Sequence, residues 1–282
     1  MISENLFRYE KASDSRIKTL EAGAVWMSSF NSFNDPFDGA LHMYSHLYDD
    51  GMSELDIAVA VKTIYSNKNS GFNDHPSMTW IYDDRIIKQA LKWADMVINN
   101  IDMEHVIDFH RGEILKTART RLKNFSATCF NRTGPEDLLM WAHYADNHSG
   151  FCVEYSYDPM ELSFKEEGRF KIAPVIYRSS LPSFDIKSLL FTPANVAVDF
   201  LFSKSEQWAY EREVRLVKFL ENDSNLTMLP DGLKIEAIYA GLNISEPMLE
   251  RLDESANLLG VKFYRMKRKP FGYSLEAEFS WI

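Results

Sequence analysis

The sequence predicts an α+β fold: a central mixed or antiparallel sheet carrying a helical insertion. Three observations lead there. About seven short runs have strand character without alternating one-for-one with helices. A block of helix-period residues, 53–123, interrupts them. Finally, 282 residues with 45% apolar and 26% charged content make a chain able to bury a sizeable core.

The apolar-aromatic run at residues 6–9 reads as the first strand. Ser13, Asp14 and Ser15 offer caps for a helix that carries Ile17 and Leu20 and stops at Gly23. Val25, Trp26 and Met27 resume a strand, and Pro36 organises a turn-rich loop over residues 31–38. Within 53–123, Leu55, Ile57, Ala58, Val61 and Ile64 form one apolar stripe at helical spacing; Ile86, Ile87, Ala90, Leu91 and Ala94 form another. Residues 67–75 read as the polar loop between them and 105–122 as a third helix. The expected organisation is one domain over 1–282, with 53–123 as a helical insertion or subdomain.

Strand signals return at 126–130, followed by a turn at Thr133, Gly134 and Pro135. Residues 137–145 read as a short helix stopped at Gly150. Strands are expected at 151–155, 175–177, 214–219, 235–239 and 261–266, with a helix over 247–259 before the last.

Composition excludes several classes of function. No apolar run reaches the roughly 18 residues of a membrane span, and the N-terminus lacks the basic and apolar regions of a signal peptide. Cys129 and Cys152 cannot build a disulfide framework and fit a reducing cytosol, so a cytoplasmic location is expected. A net charge of −10 argues against broad nucleic-acid binding. The one basic cluster, Lys262, Arg265, Lys267, Arg268 and Lys269, is expected to guard a strand edge, with a phosphate-bearing ligand as the alternative. There is no G-x-S-x-G elbow, P-loop or Rossmann fingerprint.

Three polar signatures remain. In Trp208-Ala209-Tyr210-Glu211-Arg212-Glu213-Val214-Arg215, strand alternation would project Glu211, Glu213 and Arg215 from one face, as the wall of a polar pocket. A surface ion-pair ladder would have the same pattern. In Phe33-Asn34-Asp35-Pro36-Phe37-Asp38, Asp35 suits turn chemistry, while Asn34 and Asp38 are open to a ligand. On the helix containing Met140, Trp141, His143 and Tyr144, His143 is a candidate general base beside Tyr144. His148 follows five residues later, off the spacing of a helical zinc pair, and no metal is expected.

In this order the three signatures resemble a widespread bacterial family catalogued as a domain of unknown function, number 2971, over nearly the whole chain. Val214 stands where that pattern has an aromatic residue, and the resemblance implies no activity. A second resemblance concerns mechanism. Leu6-Phe7-Arg8-Tyr9, the helix ending at Gly23, and Val25-Trp26-Met27-Ser28-Ser29 look like the opening of an ADP-ribosyltransferase. That resemblance implies a split β-sandwich and NAD as substrate, with Arg8 on the dinucleotide and Ser28 supporting the pocket. Glu213 would be catalytic with Glu211 beside it, and Trp26 or Tyr144 would stack on the nicotinamide cation. Asn34 and Arg215 complete the candidate cofactor-binding set.

A carboxylate stabilises the oxocarbenium ion that forms when the glycosidic bond breaks, and a second activates the incoming nucleophile. The leading expectation is therefore ADP-ribose transfer to an unknown acceptor, in bacterial defence or conflict, requiring Arg8, Tyr144, Glu211 and Glu213 in one cleft. One alternative is a nuclease-like hydrolase using His143 and His148 beside Arg265 and Lys267. Another is a non-enzymatic module whose polar groups satisfy one another and whose helical insertion binds a protein partner.

Overall fold

A computed structural model describes residues 4–38, 84–99, 125–159, 170–183, 193–219 and 225–280, together with Leu55, Ala58, Val59 and Lys62. The described strands are β1 (Glu4–Glu10), β2 (Ala24–Trp26), β3 (Ser28–Ser29), β4 (Phe125–Asn131), β5 (Phe151–Tyr157), β6 (Phe170–Pro174), β7 (Ile176–Arg178), β8 (Ser203–Ser205), β9 (Glu213–Phe219), β10 (Leu226–Met228), β11 (Leu233–Ala240), β12 (Lys262–Arg268) and β13 (Leu275–Phe279). The α-helices described from end to end are α1 (Asp14–Glu21), α2 (Asp84–Ile98), α3 (Leu138–Tyr144), α4 (Pro193–Leu201) and α5 (Glu246–Leu259). The chain divides into two compact units: Met1–Ser28, Ser126–Tyr177 and Glu206–Ile282 form one, Ser29–Phe125 and Arg178–Ser205 the other.

The first unit is built on a sheet whose strands run β13-β12-β11-β5-β1-β4-β9-β6. β5 sits between β1 and β11, antiparallel to both along its whole length. β11 and β12 are parallel, because α5 carries the chain back between them. β1 and β4 meet at a single bridge, Phe7 opposite Asn131, where the Asn131 amide donates to the Phe7 carbonyl at 2.9 Å. The sheet is thus mixed and the fold α+β, as the sequence predicts.

Local chemistry sets the helix ends. Ser13 is extended and its Oγ accepts from the Arg16 amide at 3.4 Å; Gly23, at φ +62°, turns the chain out of α1 into β2. α5 follows Ser245 with Pro247 in its first turn, and Gly260 ends it in a left-handed cap. Alternation along the strands then divides the core. Leu6, Val153, Tyr155, Val214 and Leu216 pack with Ile17 and Leu20 of α1 and Leu249 and Leu252 of α5. The opposite face carries Phe7, Tyr9, Cys152 and Tyr239, packed with Met140 and Trp141 of α3. Burial pushes the Cys152 thiol well up, which makes it an inert packing group.

In the second unit, α2 buries Trp93 and Ala94, and α4 buries Val196, Ala197, Phe200 and Leu201. Leu55, Ala58, Val59 and Lys62 are helical, and Lys62 pairs with Asp95 of α2 at 2.6 Å. The expected loop at 67–75 and helix at 105–122 lie outside the described residues. The sequence does not announce β6, β8, β10, β13 or α4. Among the described residues no helix is long and apolar enough to cross a membrane.

Candidate active site

α3 is the element that positions the site, and it is clamped from below. Asp137 caps it by accepting from the Leu139 and Met140 amides at 3.0 and 3.2 Å. Trp141, fully buried, donates its indole N–H to the Pro135 carbonyl at 2.7 Å and meets the Tyr9 ring edge-on at 5.0 Å. The Tyr9 hydroxyl donates to the Gly134 carbonyl at 2.6 Å, and burial pushes its ionisation far up, so it stays a neutral donor.

The sequence predicts that this helix runs to Ala145 and stops at Gly150. The structure ends it at Tyr144 and follows it with three left-handed residues, Asp146, Asn147 and His148, at φ 49°, 55° and 69°. Asp and Asn tolerate that region better than most side chains, which is why the chain can turn there without glycine. The turn is held at both ends. The Gly150 amide donates to the Ala145 carbonyl at 2.7 Å, and the Gly241 and Asn243 amides donate to the Gly150 and His148 carbonyls, each at 2.9 Å. A Cβ on Gly150 would sit 2.1 Å from the Glu10 carbonyl oxygen, so the close approach requires glycine. The His148 ring stacks on Trp141 at 6.3 Å, and burial, then the nearby Arg268 charge, holds its pKa below the ordinary value.

Tyr144 emerges half-buried from this clamp, and its hydroxyl donates to the carboxylate of Glu211. Glu211 is buried and closes the 3₁₀ turn Glu206–Glu211. Arg212 follows at φ 45°; its amide donates to the Ala209 carbonyl at 3.3 Å, and its carbonyl accepts from the Arg132 amide at 3.2 Å. Only then does β9 begin. Glu213 and Arg215 share one face of β9, as alternation predicts, but Glu211 is not part of the strand. Arg215, with no exposure, grips Glu213 through Nε at 2.5 Å and Nη2 at 3.3 Å. The Glu213 amide donates to the Tyr177 hydroxyl at 2.8 Å, a partner that strand periodicity marks only as a strand residue. His143 is exposed, its ring 6.3 Å from those of both Tyr144 and Tyr210, while Trp208 and Tyr210 stand half-buried 6.1 Å apart.

The other candidates go elsewhere. Arg8 alternates with Phe7 and Tyr9 and so faces α1, not α3; its Nε donates to Glu10 at 2.7 Å, and Glu10 also pairs with Arg16 of α1 at 3.3 Å. The structure therefore does not bring Arg8 to Tyr144 and Glu211. Trp26 is exposed on β2, with the Arg16 guanidinium 5.9 Å above its ring, and Ser28 is half-buried in β3. In the second unit Asn34 is exposed, Asp35 accepts from the Phe37 amide at 2.9 Å as its turn chemistry predicts, and buried Asp38 lies 3.9 Å from Lys204. His143 and His148 contact different neighbours. The basic cluster does not guard a sheet edge, because β13 covers β12: Arg265 pairs with Glu246 at 3.4 Å, Lys267 with Glu278, and Lys269 with Glu136 at 3.3 Å. Among the described residues no group of histidine, cysteine or acidic side chains is placed to hold a metal.

The region that makes the site is also the region that is shared. Residues 140–216 match the family described as "Protein of unknown function (DUF2971)". Tyr144 lies near one end of the DUF2971 segment and Glu211 near the other, so their hydrogen bond closes the matched stretch on itself. The match includes two of the three signatures and not residues 33–38. No curated protein and no solved structure matches the chain.

Proposed function

We propose that this chain is an ADP-ribosyltransferase-like enzyme that cleaves NAD and transfers ADP-ribose to an acceptor, with Glu211 as its catalytic carboxylate. The observation that carries the reading is the Tyr144–Glu211 hydrogen bond, which joins two distant signatures beside the half-buried rings of Tyr210 and Trp208. In the reaction the bond between the ribose C1′ and the nicotinamide nitrogen breaks, and its electron pair leaves with nicotinamide. Glu211 stabilises the oxocarbenium ion, Tyr144 fixes the carboxylate's orientation, and exposed His143 takes the acceptor's proton as C1′ bonds to it. Glu213 acts through position: held by Arg215, it anchors the first residues of β9. Arg8 has no place in this centre.

The test is nicotinamide release from NAD by the full chain, followed by chromatography, with NAD binding measured by calorimetry. Release that is lost in Glu211→Gln, falls in Tyr144→Phe and survives in Arg8→Ala supports the reading. No release by the wild type together with no NAD binding at about 1 mM overturns it. A non-enzymatic binding module has one observation in its favour: Glu211 and Glu213 are each engaged by a neighbouring side chain. It predicts the second outcome.

A further inference from the structure

The second unit contains a cavity of about 230 Å³ that the Tyr144–Glu211 centre does not use. Its lining mixes apolar residues, including Phe37 from the Phe33–Asp38 signature and Leu181, with Arg178, Lys204 and serines including Ser179 and Ser203. Among the described residues that line it are two cations and no carboxylate.

The cations are set in advance. Arg178 donates from Nε to Ser203 Oγ at 3.1 Å and from Nη2 to Asp199 at 3.2 Å, which fixes the guanidinium plane and leaves Nη1 unused. Lys204 has a side chain only 5% exposed, and its charge is balanced by fully buried Asp38 at 3.9 Å. Burying an ammonium is costly without a charged partner, and Asp38 supplies one where Lys204 lines the cavity. Guanidinium, ammonium and hydroxyl donors in one lining match an oxyanion, which offers only acceptors. Volume limits what carries the oxyanion: sites for drug-sized ligands measure roughly 300–1,000 Å³. The cavity is therefore too small for a whole dinucleotide.

We infer that this cavity is a binding site for a small oxyanion, phosphate or carboxylate, borne on a compact apolar group. The oxyanion takes Arg178, Lys204 and the serine hydroxyls, and the apolar group packs on Phe37 and Leu181. The inference is independent of the proposed transferase reading.

Calorimetric titration of the full chain with phenyl phosphate, benzoate, phenol and inorganic phosphate tests it. Phenyl phosphate or benzoate is expected to bind at or below about 1 mM, with phenol silent and inorganic phosphate weaker. Whichever of the first two binds more tightly identifies the oxyanion. Arg178→Met should weaken binding about tenfold or more, and Leu181→Trp should abolish it by filling the cavity without altering its charge. Glu211→Gln should bind like the wild type. Absence of binding by both aromatic anions overturns the inference, as does binding that survives Leu181→Trp. That variant keeps the test decisive if Arg178→Met does not fold.

Discussion

Glu211 and Glu213 are both buried and only two residues apart, yet exchanging each for glutamine should do opposite things. Glu213→Gln removes the negative charge from a guanidinium that has no exposure and sits 2.5 and 3.3 Å from the carboxylate. Arginine cannot shed its proton, so the substitution takes a carboxylate away from a buried cation, and breaking a buried pair in this way costs about 3–5 kcal/mol. The glutamine carbonyl retains one acceptor, which places the expected cost near 3 kcal/mol, and at ~2 °C per kcal/mol for a chain of this size Tm falls by about 6 °C. Glu211→Gln is different. The Tyr144 hydroxyl is one partner there, and an amide oxygen can still accept from it, so losing the charge from that bond costs about 1 kcal/mol or less and shifts Tm by ~2 °C.

Nicotinamide release should show the reverse order, abolished in Glu211→Gln and retained by folded Glu213→Gln. The double variant Glu213→Leu with Arg215→Met removes both charges and should recover part of the lost stability. Calorimetric melts and release assays on the same preparations decide the matter. If Glu213→Gln melts within about 1 °C of the wild type, or Glu211→Gln is the less stable variant, the assignment of roles is wrong.

The imidazole of His148 is held below its ordinary pKa, so the unfolded chain binds more protons just below about pH 6.5, and stability should fall as pH drops through that window. Urea midpoints against pH should show a shallower slope there in His148→Phe, which keeps the stacking on Trp141. Glu21 is held below its usual range chiefly by the hydrogen bond from Arg251, so its contribution is present above the ordinary carboxylate pKa and lost as pH falls further; Glu21→Gln should flatten the acid limb of the same profile. Gly241→Ala would place Cβ 2.3 Å from the His148 carbonyl oxygen and should cost at least the ~1–3 kcal/mol of an overpacked core, read by chemical denaturation. Trp141→Ala empties a fully buried site and should cost about 3–5 kcal/mol in the same experiment.

Much of the first unit was legible because its local signals agree with its packing. Ser13 caps α1 where the sequence offers a cap, Gly23 and Gly260 sit left-handed at helix ends, and Phe7 and Tyr9 face away from Leu6 as alternation requires. Elements that depend on partners were not legible. Leu226–Met228 is too short to show a period and is a strand because β2 lies beside it. The run Leu275–Phe279 reads Leu-Glu-Ala-Glu-Phe, rich in helix formers, and pairing with β12 overrides that preference. α4 is apolar around most of its circumference and contains β-branched Val196 and Val198, so neither amphipathic spacing nor propensity marked it.

The site was half legible, and Arg212 is the reason. Alternation treats residues 211–215 as one strand and puts both carboxylates and Arg215 on one face. A single non-glycine residue at φ 45° interrupts that pattern, ends the 3₁₀ turn, and sends Glu211 to Tyr144 while Glu213 turns to Arg215. Left-handed backbone costs an arginine about 1–2 kcal/mol, and strain of this kind persists where surrounding bonds over-determine it. Here those bonds run to Ala209 and Arg132. Glycine adopts the same φ freely but loses ~0.5–1 kcal/mol through the greater freedom of its unfolded chain. Arg212 is exposed, so Arg212→Gly removes little packing and should be neutral to about 1 kcal/mol more stable, raising Tm by up to ~2 °C. Because glycine keeps the same φ and the backbone bonds to Ala209 and Arg132, the same variant should retain the Glu211–Tyr144 hydrogen bond and with it nicotinamide release. A variant that melts several degrees lower would show that the conformation at 212 is relaxed, and the separation of the two carboxylates would need another cause.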